Sequence, residues 1–204
     1  TVGLFQKTFT DPIEIALIST PDLVYTTFQN AHSAYTYGLE VDLRYRLKFI
    51  PLPIGNGFLS MNGSYAESQV VTDSVVTLFN GTQYGNSATE VSRPLQGQSK
   101  ATFNTSLYLH FKTKYSMSIS YNTFSKRIHS VGVGVLGNEY EFPFQSLNVV
   151  STAKIGPVKL TLKLKNLLNS RIRYGLIEKG TGAIKEKQAY RPGITSQLQI
   201  TYEI

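Results

Sequence analysis

The sequence predicts an all-β fold, an antiparallel transmembrane β-barrel with about eight strands. Apolar and polar residues alternate strictly over several long stretches, and a period of two residues is the period of a β-strand. The polar rows carry charged and amide side chains, which a dry core disfavours and a water-filled lumen accepts. The connections between the predicted strands are alternately long and short, which is typical of outer-membrane barrels.

The composition agrees with this fold and disfavours several kinds of site. Of the 204 residues, 41% are hydrophobic and only 16% are charged, a low share for a soluble surface. The chain has no cysteine and therefore no disulfide, thiolate metal site or cysteine nucleophile. Its three histidines, His32, His110 and His129, are too scattered for a metal site. We expect neither a metal nor a cofactor.

Hydropathy and net charge limit how the chain can cross a membrane and which partners it can bind. No apolar run approaches the roughly 20 residues that a spanning helix needs. Residues 1–9 do not resemble a signal peptide, so the signal of an exported protein is expected upstream of them. The net charge of +7 suggests an acidic partner or an anionic membrane face, but basic residues lining a lumen or rim explain it better. We expect no nucleic acid, because aromatic residues follow the lipid-facing parity instead of interleaving with lysine and arginine.

Eight strands are predicted, separated by long and short connections. In chain order the strands cover residues 1–9, 34–48, 58–70, 101–112, 115–122, 145–155, 158–169 and 193–204. Long connections are expected near 10–32, 73–98, 132–144 and 175–190, and short turns near 49–57, 113–114 and 156–157. Residues 10–32 also show weak strand character around Ile13–Ile18 and Leu23–Phe28. The two faces of the first strand stay open.

The second predicted strand has the most polarised faces. Its apolar face holds Tyr35, Tyr37, Leu39, Val41, Leu43, Tyr45 and Leu47. Its other face holds four charges, Glu40, Asp42, Arg44 and Arg46. These charges form either an acid–base pair with an arginine clamp or a ladder of charges along a lumen. We favour the ladder, since such charges are costly in a dry core and inexpensive in a watery channel, and we expect no enzymatic activity.

The next three strands alternate in the same way. In residues 58–70, one face holds Leu59, Met61, Gly63 and Tyr65, and the other holds Ser60, Asn62 and Ser64. In residues 101–112, one face holds Ala101, Phe103, Thr105, Leu107, Leu109 and Phe111, and the other holds Thr102, Asn104, Ser106, Tyr108, His110 and Lys112. The short link at 113–114 predicts an antiparallel hairpin with residues 115–122. His110 is either a ligand or proton carrier, or the more frequent simple hydrogen-bonding group of a lumen.

The last three strands complete the pattern. Gly156-Pro157 predicts a tight turn between residues 145–155 and 158–169. After it, Lys159, Lys163 and Lys165 lie opposite the apolar row of Val158, Leu160, Leu162 and Leu164. These lysines would suit an anionic substrate or the lipopolysaccharide core, but their parity points them into the lumen. In the final strand, Ile194, Leu198, Ile200, Tyr202 and Ile204 face outward, and Thr195, Gln197, Gln199, Thr201 and Glu203 face inward.

Four stretches of the chain resemble a known family. They are FQKTFTDPIE (5–14), YGLEVDLRYRL (37–47), RPLQGQSKATFNTSLYLHF (93–111) with SYNTFSKRI (120–128), and LKNLLNSRIRYG (164–175). In order and spacing they resemble the C-terminal part of the barrel of TonB-dependent outer-membrane receptors, and most of all the Bacteroidetes type that carries a carboxypeptidase-regulatory-like domain. The family usually ends in an aromatic residue, whereas this sequence ends in Ile204.

The resemblance implies the last eight strands of a plugged barrel of about 22 strands in the bacterial cell outer membrane. It implies transport of a nutrient such as a siderophore, glycan or peptide. The partners it implies are outer-membrane lipid and lipopolysaccharide, the remainder of the barrel, the plug domain, the TonB complex through the plug, and a surface lipoprotein lid. Plug contacts are expected first at the inward row that holds Asn104, Tyr108 and His110, and the inward lysines are expected to hold plug carboxylates.

Two alternatives stay open. A stand-alone eight-stranded barrel would act as an anchor or adhesin, but side chains fill so narrow a lumen, and the predicted lumenal charge is heavy for it. A structural subunit of a larger outer-membrane assembly would keep a transport-type barrel as a scaffold. The sequence does not separate transport from scaffold.

Overall fold

The computed structural model describes residues 1–19, 22–47, 55–72, 74–75, 86–87, 93–111, 114–132, 137–177 and 182–203. Every helix or strand within these residues is a β-strand. In chain order the strands are β1 (Val2–Thr10), β2 (Ile13–Ser19), β3 (Val24–Asn30), β4 (Ser33–Leu47), β5 (Asn56–Val71), β6 (Ser74–Val75), β7 (Asn86–Ser87), β8 (Ala101–Phe111), β9 (Tyr115–Phe124), β10 (Arg127–Gly132), β11 (Glu139–Glu141), β12 (Phe144–Ile155), β13 (Val158–Lys165), β14 (Ile172–Ile177), β15 (Ile184–Tyr190) and β16 (Thr195–Tyr202).

The first sheet consists of the eight strands that the sequence predicts. Its order is β1-β4-β5-β8-β9-β12-β13-β16, and each strand is antiparallel to its neighbours. Each strand of this sheet therefore pairs with the next long strand along the chain. The segments between them are either tight turns or connections that contain the shorter strands. The predictions of an all-β fold and of an antiparallel sheet are confirmed.

Two of the predicted tight turns can be placed. β8 and β9 form the predicted hairpin, in which Phe111 lies opposite Tyr115. β12 and β13 meet at Gly156-Pro157, where Ile155 lies opposite Val158. Gly156 has a φ of 58°, which glycine adopts without the Cβ clash of other residues. The residues 112–113, the residues 48–54 of the predicted turn at 49–57, and the final residue lie outside the described part of the chain.

The register of the first sheet does not shift along any of its strand pairings. Cross-strand partners share a face, so the apolar rows of the eight strands join into one face and the polar rows into the other. One row shows this through its successive partners, Tyr45, Leu59, Leu107, Ile119, Val149 and Leu164. In β1, Val2 and Leu4 lie on the apolar face and Phe5 on the polar face.

The first sheet is open in the described part of the chain. There β1 pairs only with β4, and β16 only with β13, so each has one edge without a strand partner. Closure into a barrel therefore stays a prediction.

Three of the predicted long connections are wrong as loops. They contribute to a second sheet of six strands in the order β15-β14-β11-β10-β2-β3. In residues 10–32, where the sequence shows weak strand character, β2 and β3 form an antiparallel hairpin. The strands β10, β11, β14 and β15 are not recognisable from alternation in the sequence. Register shifts near Ile128 and between Tyr174 and Gly175 interrupt the period of two residues there. In the fourth connection, 73–98, the described residues include the short pair of β6 and β7.

One parallel contact joins the two halves of the second sheet. Among the described residues, β2 and β10 pair through Ala16 with Val131 and Leu17 with Gly132. β2 follows β1 in the chain and β10 follows β9, and in the first sheet β4, β5 and β8 separate β1 from β9. In the described part of the chain, β5 and β8 do not continue into the second sheet. The connection between them returns through residues 93–99 (RPLQGQS), which we call the clasp.

The clasp bonds to both β2 and β10. The side-chain amide of Gln96 accepts a hydrogen bond from the Ile15 N–H at 2.7 Å and donates to the Ile15 carbonyl oxygen at 3.1 Å. The same amide nitrogen donates to the carbonyl oxygen of His129 at 2.6 Å. The Gly97 N–H donates to the carbonyl oxygen of Ile128 at 2.9 Å. The side-chain amide of Gln96 thus bonds to backbone groups of two strands for which the described residues show two paired positions.

A buried ion pair fixes the clasp to β2. Arg93 Nη1 donates to Glu14 Oε1 at 2.9 Å, and Arg93 Nη2 bonds to Glu14 Oε2. The two side chains are only 7% and 1% exposed. The Arg93 carbonyl oxygen accepts from the Val70 N–H at 2.9 Å, which ties the same residue to β5. Beside this contact lies a small apolar cluster of Ala31, Ala34 and Val70, packed against Phe9 and Leu95.

We expect Arg93→Met to loosen the second sheet. The substitution leaves the Glu14 carboxylate buried without its partner, and breaking a buried pair in this way costs about 3–5 kcal/mol. The double variant E14M/R93M replaces both charges by apolar side chains and is expected to lose much less. The measurement is native-state hydrogen exchange at the amides of Ala16 and Leu17. We expect exchange to be faster in R93M than in the unsubstituted protein, and little changed in E14M/R93M.

A more exposed ion pair of the second sheet serves as the control. Arg127 Nε lies 2.7 Å from Glu141 Oε2, with side chains 34% and 14% exposed. Arg127→Met should therefore cost less than Arg93→Met, about 1 kcal/mol or below. Equal exchange rates in all three variants would contradict the importance given to the buried pair.

Candidate functional site

The polar face of the first sheet carries the candidate lumen residues of three strands. They are Glu40, Asp42, Arg44 and Arg46 on β4, Asn104, Tyr108 and His110 on β8, and Lys159, Lys163 and Lys165 on β13. Their common face follows from the unshifted register between these strands. The structure thus places them together on one surface, and the lumen itself stays a prediction.

Three of the four charges of β4, those of Asp42, Arg44 and Arg46, bond to near neighbours. Arg44 Nε lies 3.5 Å from Asp42 Oδ1, and the Arg44 side chain is 81% exposed. Arg46 Nη2 donates to Asn56 Oδ1 at 2.7 Å, and its guanidinium lies 6.0 Å from the centre of the Phe58 ring. The arrangement is a ladder of exposed charges along one strand, which is the geometry that the alternation predicts.

A row of amides crosses the polar face beside these charges. Its successive cross-strand partners are Asp42, Asn62, Asn104, Asn122 and Ser146. Asn104 Nδ2 donates to Asn62 Oδ1 at 2.8 Å, and Asn122 Nδ2 donates to Ser146 Oγ at 3.4 Å. Because an amide side chain both donates and accepts, this row can bond to a polar ligand or a polypeptide segment lying on the face.

A cavity of about 330 Å³ lies at the turn end of the polar face, the end that holds Gly156-Pro157. Around it lie His110, Lys114, Lys154, Lys159 and Glu203, which we call the turn-end group. Lys154 Nζ bonds to Glu203 Oε2. This hydrogen bond, together with the positive charge of Lys154, holds the pKa of Glu203 below its usual value.

His110 and Lys159 belong to the residues predicted from the sequence, whereas the other members of the turn-end group do not. The missed residue with the clearest signal is Lys154, since a two-residue turn sets the residues at equal distances on either side of it opposite each other. Lys154 is indeed the cross-strand partner of Lys159. Lys114 stands at a strand end, where alternation says nothing about its neighbours.

The opposite face of the first sheet is apolar and bare. Several of its large side chains are more than half exposed, among them Val2, Leu4, Tyr37, Tyr65, Tyr115, Leu198, Ile200 and Tyr202. Leu4 reaches 86% exposure and Ile200 67%. The rest of the described chain therefore leaves this face uncovered.

Aromatic side chains lie near both ends of the apolar face. Tyr37 and Tyr65 lie toward the loop end, and Tyr115 and Tyr202 toward the turn end. Along β4, the row from Tyr35 to Leu47 covers about 40 Å at about 3.3 Å per residue, which a strand tilt of about 40° reduces to about 30 Å. This height spans an apolar band of about 25 Å, as in outer-membrane barrels, together with an aromatic girdle.

A polar cluster ends the apolar face at the loop end. Glu67 Oε1 accepts hydrogen bonds from the Tyr65 hydroxyl at 2.6 Å and from Lys100 Nζ at 2.9 Å. Glu67 follows Tyr65 on the same face of β5, so the surface changes from apolar to charged within one step of the row. This cluster is not among the residues predicted from the sequence, although the glutamate that extends the apolar row of β5 is its signal.

Comparisons with known proteins identify no relative of this chain. No family model, no curated protein and no solved structure matches the chain. In the described residues, no group of three or more histidine, cysteine, aspartate or glutamate side chains is placed to hold a metal ion. The described part of the chain also lacks a helix of the length and apolar character needed to cross a membrane. The two faces of the first sheet are therefore the basis for a functional proposal.

The packing of Phe5 on Gly38 gives a test of the polar face. A Cβ at Gly38 would lie 2.7 Å from Phe5 Cζ and closer still to the carbonyl oxygen of Tyr65. We expect Gly38→Val to destabilise the protein by about 1–3 kcal/mol through overpacking, measured by urea unfolding in detergent. Gly3→Val is the matched control, since nothing lies within 4 Å of a Cβ there. Similar losses in both variants would argue against the packing described.

Proposed function

We propose that the chain is a segment of the wall of a TonB-dependent outer-membrane receptor, which takes up a nutrient such as a siderophore, glycan or peptide. The observation that carries the proposal is the bare apolar face, continuous over eight strands and backed by a polar face. A bilayer covers such an apolar face, and an aqueous channel hydrates the polar one. The resemblance of four stretches to the receptor family supports the same function.

A bare apolar face of this extent is unfavourable in water. Soluble monomers rarely expose a contiguous apolar patch larger than a few hundred Å². Each large side chain left in water forgoes about 1.5–3 kcal/mol of burial. In a sandwich the apolar faces of two sheets pack on each other, whereas the second sheet of this chain leaves the apolar face of the first uncovered. Lipid is therefore the cover that we propose.

The two open edges support a barrel wider than eight strands. In lipid each unpaired backbone N–H or C=O costs several kcal/mol, so β1 and β16 need strand partners. Pairing with each other would give an eight-stranded barrel, whose interior side chains fill. The polar face instead carries long charged side chains such as those of Arg44, Arg46 and Lys163. Further strands, as in a receptor of about 22 strands, leave room for these charges and for a plug domain.

The parts of the structure then have separate roles. The apolar face holds the wall in the lipid of the bacterial cell outer membrane, and the Glu67 cluster meets the lipopolysaccharide at its outer limit. The polar face guides the nutrient and contacts the plug domain. The second sheet stands at the outer mouth, where it meets the nutrient or a surface lipoprotein lid. Energy arrives from the TonB complex through the plug, and the wall itself performs no catalysis.

Neighbouring residues of β8 test the lipid-facing role. Leu107→Arg places a charge within the apolar face, at a cost of about 2–4 kcal/mol near the middle of a bilayer. Ser106→Arg places the same charge on the polar face, where water accepts it. We expect L107R to reduce the amount of heat-modifiable, folded protein in the outer membrane and S106R to leave it near the unsubstituted level. Equal tolerance of the two arginines would rule out lipid on this face.

The polypeptides that accompany the chain separate a receptor from its alternatives. Detergent extraction of outer membranes should yield these residues within, or bound to, a larger polypeptide with a plug domain and a TonB box. A closed, monomeric, heat-modifiable species made of this chain alone would replace the proposal by a stand-alone anchor or adhesin. A large assembly without a TonB box would replace it by a structural subunit.

A further inference from the structure

The turn-end group concentrates positive charge at one place on the polar face. Lys154 and Lys159 are direct cross-strand partners on β12 and β13, and like charges in such positions destabilise a sheet. The Lys154 N–H donates to the carbonyl oxygen of Lys114 at 2.8 Å, which brings the backbone of a third lysine alongside. All three lysines line the same cavity of about 330 Å³.

A single carboxylate of the described chain lies among these lysines. Glu203 bonds to Lys154, and its N–H donates to the carbonyl oxygen of Pro157 at 2.8 Å, so it is held at the turn. Within the described residues, neither Lys114 nor Lys159 forms an ion pair with a carboxylate, although the charge of Lys159 contributes to lowering the pKa of Glu203. Three lysines of the described chain thus surround one carboxylate, which leaves a net positive charge on the cavity, next to the imidazole of His110.

The chemistry of the lining suits an anion. Ammonium groups, an imidazole and the hydroxyls of Ser116 and Thr152 surround the cavity. All of these groups donate hydrogen bonds, and charge-assisted bonds to carboxylate or phosphate are the strong ones. A bound anion would also convert the repulsion between Lys154 and Lys159 into attraction to a common partner.

The other inward lysines of β13 lack this setting. Lys163 lies opposite Val150 and Gln197 and donates to Gln199 Oε1 at 3.5 Å. Lys165 lies opposite Thr195 at the far end of the strand. Because both share the strand and the face of Lys159, they are matched controls for any experiment on the turn-end group.

We propose that the turn-end group is an anion-binding site that takes a carboxylate or phosphate group between Lys114 and Lys159. The anion comes either from an acidic polypeptide segment lying on the polar face or from solution. The site depends only on residues of this chain. Its location at the inner mouth of a channel rests on the proposed function.

Amine acylation of the intact, detergent-extracted protein tests the site. Rates at Lys114 and Lys159 are compared with those at Lys163 and Lys165 by mass spectrometry, in inorganic phosphate and in sodium chloride of equal ionic strength. With a free-anion site, we expect phosphate to slow acylation of Lys114 and Lys159 several-fold and to leave the two controls unchanged. Lys159→Gln should remove the protection of Lys114, whereas Lys163→Gln should preserve it.

Carbodiimide treatment without phosphate identifies a polypeptide source. In that case Lys114 and Lys159 acylate slowly in both salts and form amide bonds with a carboxylate outside the turn-end group. Rates equal to those of the control lysines in both salts, with no such amide bond, overturn the anion site. Heat-modifiable mobility of the same sample reports separately on the outer-membrane barrel, so that failure of the anion site and failure of the proposed function are distinguishable.

Discussion

The unshifted register of the first sheet is the constraint on which the rest of the structure depends. A slip of one residue at any pairing would turn the side chains beyond it to the opposite face. Charges such as Arg46 would then enter the apolar face, and residues such as Leu107 would enter the polar one. The separation of apolar and charged residues onto opposite faces of the long strands therefore fixes the register. The two-residue turn at Gly156-Pro157 fixes it further, because within this turn only the glycine adopts a positive φ without strain.

Local alternation explains why the first sheet could be predicted from the sequence and the second could not. A strand such as β4 carries its signal within its own residues, so its faces follow without knowledge of its neighbours. The second sheet depends on contacts between distant parts of the chain, such as Ala16 with Val131. Its bulges near Ile128 and Gly175 also break the period of two. Nothing in β2 itself specifies a parallel partner.

The candidate site divides in the same way. Parity alone places His110 and Lys159 on the polar face, because each belongs to a strand with strict alternation. The excess of positive charge around them follows from the pairing of β13 with β12 and β16. This pairing brings Lys154 of β12 next to Lys159 and to Glu203, which follows β16. Single-strand patterns therefore predict which residues meet water, whereas pairing decides which charges meet each other.

The clasp also determines the order in which the chain can fold. Hairpins such as β8–β9 and β12–β13 close very short loops, which costs little conformational entropy. Gln96 instead bonds to Ile15, 81 positions away, and contacts of such long range form slowly because large loops must close first. The second sheet can be completed only after the first has brought the ends of β1 and β9 near each other. The second sheet is thus the last region to assemble and, with two described residue pairs joining its halves, the first to open under strain.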